Sequence, residues 1–227
     1  MRILPIVVAL AAAVSIPAQA GLFKDSVDLA DLAQLSSEGL ESLKDTEFAA
    51  FVARVKLEAA KAREDQAQGA LKAAKRTISV EELDMKAATA EAKAAKANQD
   101  EDRLAAAEVL GRDAKTDLEV ARLFEAWKKD DRASTRAAVK HAEAQLDLAE
   151  ARRDHARVER LFAEKAAAAS KYDSAEYAKR VSKRQGEADK TSRSAEKTAA
   201  KAAKSKAAFE AAAKQQVRLV PEPAGAR

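Results

Sequence analysis

The stretch AEAQLDLAEARRDHARVERLFAEKAAAASKYDSAEYAKR, residues 142–180, decides the fold. Leu148, Ala151, His155, Val158, Phe162, Lys165 and Ala169 follow a 3–4 spacing, which lines them along one face of a helix. Four alanines then lead to Ser170, with Asp173 three residues later. A hydroxyl and an acid at that spacing are a weaker form of the capping box, in which the two side chains satisfy backbone N–H groups at a helix start. The bulky pair Leu161–Phe162 therefore closes one helix, the alanines make a tight turn near 167–170, and Ser170 opens the next helix.

The same pattern extends outward in both directions. No proline occurs between Leu22 and Val220, and no run alternates as a half-buried strand would. Helix is expected almost throughout. TISVEELD, 77–84, sets Ser79 three residues before Glu82, a full capping box, and KKDDRAST, 128–135, gathers Asp130, Asp131, Ser134 and Thr135, residues that compete with helical backbone bonds. Turns are thus expected near 77–79 and 130–134 as well, giving helices over 46–76, 80–129, 134–168 and 171–216. The fold class is all-α: long, alanine-rich antiparallel helical hairpins or coiled coil, with no sheet.

Composition agrees with thin packing. Alanine supplies 59 of 227 residues, 34% are charged and only 4% are aromatic. Each buried methyl contributes only about 0.8 kcal/mol, so an alanine seam lets helices approach closely but stabilises them modestly. No cysteine is present, which excludes disulfides and thiolate metal sites.

At the N-terminus Arg2 precedes the apolar run ILPIVVALAAAVSIP, and Ala18 and Ala20 flank Gln19. This is the pattern of a signal peptide, residues 1–20, cleaved before Gly21, which implies an exported, soluble, periplasmic protein. The remaining organisation is an amphipathic segment over 21–45, a helical coiled-coil region over 46–216 and a disordered tail over 217–227 carrying Pro221 and Pro223.

Residues 142–180 resemble the α-helical hairpin of periplasmic adaptor proteins, also called membrane fusion proteins, of tripartite efflux and secretion systems. There an ascending helix ends in a pattern like R-x-x-x-L-[FY]-x-x-G-A-x-S and the descending helix begins x-x-[EQ]-[YL]-[DE]-x-A. Val158, Arg160, Leu161 and Phe162 fit the first, Ser170 the cap, and Tyr172, Asp173 and Ala175 the second. Weaker echoes surround Ser79, with Leu83, Asp84 and Ala87, and Ser134, after Arg122, Leu123 and Phe124. The tip glycine is replaced by alanine, and no glycine-rich segments flank the hairpin to form lipoyl or β-barrel domains. An alanine-rich coiled coil that meets the same capping constraints independently is the other reading.

Candidate chemistry is sparse. His141 and His155 stand 14 residues apart without a defined ligand set, and no catalytic, cofactor or metal motif occurs, so a non-enzymatic protein without cofactor is expected. Leu123, Phe124, Trp127, Leu161, Phe162 and Tyr172 are the candidate partner contacts. Lys179, Arg180, Lys183, Arg184, Lys190, Arg193, Lys197, Lys201, Lys204 and Lys206 face only three acids over 179–206, Glu187, Asp189 and Glu196. That excess suits an anionic lipid or cell-wall polymer, and export argues against nucleic acid. Two functions follow as expectations: an envelope scaffold or accessory component of a periplasmic transport assembly, or a holdase chaperone for unfolded outer-membrane proteins. The partner is accordingly a helical envelope component, an unfolded client or a second copy of the chain.

Overall fold

The computed structural model describes residues 26–219; the expected signal peptide and the residues after 219 lie outside them. The described chain is all-α. Two short helices, α1 (Leu29–Leu32) and α2 (Ser37–Ser42), precede three long ones, α3 (Lys44–Ala97), α4 (Glu101–Ala163) and α5 (Ser174–Leu219), with a 3-10 turn over Ala167–Lys171 between α4 and α5. At ~1.5 Å per residue, the 54, 63 and 46 residues of the long helices give lengths of about 81, 95 and 69 Å.

α4 is the central element, with α3 and α5 each packed along it. Ion pairs fix the antiparallel register. Arg157 meets Glu47 at 2.7 Å, Arg54 meets Glu150 at 3.0 Å, and Arg122 meets Glu82 at 3.9 Å. Across α4 and α5, Arg184 reaches Asp147 at 3.1 Å and Lys201 reaches Asp130 at 2.8 Å. Residue numbers fall on α4 as they rise on its neighbours.

The α3 seam explains why this helix is so long. Its buried residues Ala50, Ala53, Leu57, Ala67, Leu71, Ala74, Ala88 and Ala95 all occupy one unbroken 3–4 heptad phase. That phase runs straight through residues 77–79, so no turn forms there. Ser79 sits mid-helix, exposed, with its hydroxyl donating to the Lys75 carbonyl at 3.3 Å, and Glu82 pairs with Arg122 instead of closing a capping box. The expected turn at 130–134 is likewise absent. Asp130 is drawn into pairs with Lys201 and Ser205, Thr135 donates to the Arg132 carbonyl, and Ser134 lies within a continuous α4.

The turn that sequence reasoning missed is Asn98–Asp100. Gln99 adopts φ 54°, Asp100 N–H donates to the Ala95 carbonyl, and the Asp100 carboxylate accepts from Arg103 N–H at 3.0 Å to cap α4. The expected break near 167–170 is present but built differently. Lys165, at φ 55°, is the left-handed residue, and Ala166 N–H closes back on the Leu161 carbonyl at 3.0 Å. The left-handed residue of this turn is thus Lys165, three after Phe162, and not one of the alanines expected to make the turn. Ser170 donates to the Ala167 carbonyl within the 3-10 turn, and Asp173 is the cap of α5, accepting from Ala175 N–H at 2.9 Å. α5 continues to Leu219, past the start expected for the tail.

Candidate functional site: a clasped hairpin end and a basic helix face

The α4–α5 end is not a bare tip. Residues 27–43 fold over it, and Val27, Leu32, Leu35 and Leu43 bury against Val158, Leu161, Ala168, Ala169 and Tyr177. This cluster holds Leu161 and Val158, the largest fully buried side chains among the described residues. The α4 seam shifts phase to reach it, passing through Asp154, Val158 and Leu161. His155 is left at the margin beside Glu159, and Phe162 is 45% exposed.

Two polar locks hold the clasp. Asp31 accepts from Lys171 Nζ at 2.7 Å and from the Tyr172 hydroxyl at 2.6 Å, while the same hydroxyl accepts from Asp28 N–H at 3.2 Å. These donors, Lys171 first, hold the Asp31 carboxyl below its ordinary range. In the second lock Glu164 accepts from Ser36 N–H at 2.7 Å, from Ser36 Oγ at 2.9 Å and from Arg160 at 2.9 Å, and its carboxyl is lowered for the same reason. Gly39 leaves room for this lock: a Cβ at that position would stand 2.1 Å from Glu164 Oε1, so any larger residue would have to displace the Glu164 carboxylate. Gln34 completes the closure by accepting from Ala168 N–H at 3.1 Å.

Of the expected partner contacts, Leu161 is buried beneath the clasp and Tyr172, half-buried, is hydrogen-bonded to Asp31. Phe124 and Trp127 are also packed internally. They form an aromatic cluster with Phe209 of α5, with ring centroids 5.1–5.6 Å apart, and Lys128 Nζ lies 3.6 Å from the Trp127 centroid. Leu123, at 36% exposure, and Phe162 are the two that retain substantial surface. His141 is engaged with Thr191 across the α4–α5 seam at 3.2 Å.

The basic residues of α5 divide into two sets. Arg184 and Lys201 bridge to α4, Arg180 lies over the Tyr177 ring at 4.7 Å, and Lys206 pairs with Glu210 at 3.5 Å. Lys179, Lys183, Lys190, Arg193, Lys197 and Lys204 are exposed and make no ion pair among the described residues. At 100° per residue these six, together with Lys201, fall within about 80° of arc along about 38 Å of helix. The opposite side of α5 carries Tyr177, Ala188 and Ala202 into the seam.

A third feature lies toward the other end, between α3 and α4. Glu81, Asp84, Glu91, Asp113 and Asp117 line an open groove of about 500 Å³. Desolvation, then Asp117 and Asp84, push the Glu81 carboxyl above its ordinary range. No helix among the described residues is long and apolar enough to cross a membrane.

No family model matches this chain, and neither curated proteins nor solved structures yield a match.

Proposed function

We propose that the chain is a non-enzymatic helical scaffold of the cell envelope, an accessory part of a periplasmic transport assembly. The observation that carries this reading is α4, about 95 Å long, flanked by two antiparallel helices through a seam of mostly small side chains. Such a rod covers distance with little mass and offers its ends and sides to partners. The signal-peptide pattern supplies the address. The likeness of residues 142–180 to adaptor hairpins supplies the class of assembly.

In this reading the partner end is the α3–α4 turn. Residues 96–103 are all exposed, whereas the α4–α5 turn is covered by residues 27–43. The test is light scattering coupled to small-angle X-ray scattering, followed by photo-crosslinking in intact cells from Gln99 and from Lys165. An elongated particle that crosslinks from Gln99 to one defined helical envelope protein supports the scaffold. A compact or hollow oligomer that suppresses aggregation of unfolded β-barrel proteins would replace it with a holdase.

A further inference from the structure

The basic face of α5 has a property that its composition alone does not give. Acids are present beside it, but each is already engaged. Glu187 accepts from Arg184 at 2.7 Å, Asp189 from Gln185 at 2.8 Å, and Glu196 from Ser192 at 3.0 Å. The six cations make no ion pair among the described residues and, with ten Lys/Arg against three acids over 179–206, form a straight line of excess positive charge, parallel to the helix axis and directed away from the seam. We propose that this line is a docking face for an anionic bilayer, on which the protein lies lengthwise through Lys179, Lys183, Lys190, Arg193, Lys197 and Lys204.

Three features select a lipid surface as the occupant. A stiff line about 38 Å long matches a flat plane along its whole length. The phosphates of a duplex wind around their axis once per ~34 Å, so a straight helix would meet them over only part of that length. No aromatic side chain lies on the stripe, so it lacks the stacking platform that single-stranded nucleic acid uses. Five of the six cations are lysines, compact charges that suit scattered headgroup phosphates better than paired planar recognition. With no large apolar residue on the stripe, contact stays at headgroup level and is governed by charge. The inference does not need the scaffold reading: a rod with no transport partner would dock in the same way.

The test is co-sedimentation of the full chain with vesicles of phosphatidylglycerol and phosphatidylcholine, set against phosphatidylcholine alone. The difference between the two removes any binding by the apolar N-terminal run. The expected result is preference for the anionic vesicles at about 0.1 M salt, lost near 1 M as the screening length falls from about 10 to 3 Å. The variant K183Q/K190Q/R193Q/K197Q should lose about five-fold in partition per neutralised residue, with unchanged helicity by circular dichroism. A second variant, K56Q/K72Q/K86Q/K93Q, removes the same charge from exposed positions on α3 and should retain binding. Equal losses in both variants would overturn the proposal, because net charge and not the stripe would then be responsible. Tighter binding to DNA than to vesicles at the same salt would overturn it in favour of nucleic acid. Sedimentation without vesicles, abolished by the α5 variant, would overturn it in favour of a second copy.

Discussion

The hydroxyl of Tyr172 lies 2.6 Å from Asp31 Oδ2 across 141 residues of sequence, and this contact ties the N-terminal segment to the turn between α4 and α5. With Lys171 on the other carboxylate oxygen, it makes the hairpin end a closed unit. Removing the hydroxyl in Tyr172→Phe leaves the ring packed near Tyr177 but deprives Asp31 of one donor and Asp28 N–H of its acceptor. Amides of residues 27–43 should then exchange faster while those of the α3–α4 seam stay unchanged, as hydrogen exchange would show. Equal exchange in both proteins would mean that the apolar contacts alone hold the segment.

Leu161 and Phe162 are neighbours with opposite fates. Leu161 is fully buried under the clasp, so Leu161→Ala should cost about 2–5 kcal/mol. Phe162→Ala, at a site 45% exposed, should cost under about 1 kcal/mol. Urea unfolding of the two variants measures both. A reversed order would place the wrong residue in the core.

Lys165 holds φ 55° at the end of α4, a conformation that costs a residue bearing a Cβ about 1 kcal/mol more than glycine. Lys165→Gly should therefore stabilise the protein by about that amount, and Gln99→Gly, at φ 54°, should do the same at the other turn. Thermal unfolding of each variant is the check.

The sequence and the structure differ most at Ser79, and the reason is physical. A capping box is a local signal of about 1 kcal/mol, whereas a turn at 77–79 would forfeit the seam contacts of every residue beyond it. The unbroken heptad phase from Ala50 to Ala95 is also written in the sequence, and it outweighs the cap. Asp100, followed by Glu101 and Asp102 in the first turn of α4, was equally legible as a helix start. The all-helical class and the break after Phe162 follow from proline absence and spacing. The clasp does not, because short helices at 29–42 carry no mark of a partner more than 120 residues away.

Ser79→Ala separates those two accounts by sign. An exposed serine inside a helix that bonds back to the Lys75 carbonyl should be improved by alanine, a gain of up to about 0.5 kcal/mol. A capping serine would instead lose about 1 kcal/mol on the same change. Chemical denaturation resolves the difference.

The acidic groove and the clasp should respond to pH in opposite directions. Asp31 and Glu164 have lowered carboxyl pKa values, so their contribution is fully present above the ordinary carboxylate range and is lost as pH falls through the lowered values. Glu81 is raised, chiefly by desolvation and then by Asp117 and Asp84, so its contribution is present below the ordinary glutamate range and is lost as pH rises through the raised value. Acidification should therefore loosen residues 27–43 while tightening the α3–α4 packing around Glu81, and exchange rates read amide by amide would show the two trends together. Glu81→Gln keeps the side-chain shape and removes the charge, so it should raise the melting temperature at neutral pH, with the advantage shrinking as wild-type Glu81 becomes protonated in acid. An advantage that persisted undiminished in acid would mean that Glu81 is not under charge strain in the folded protein.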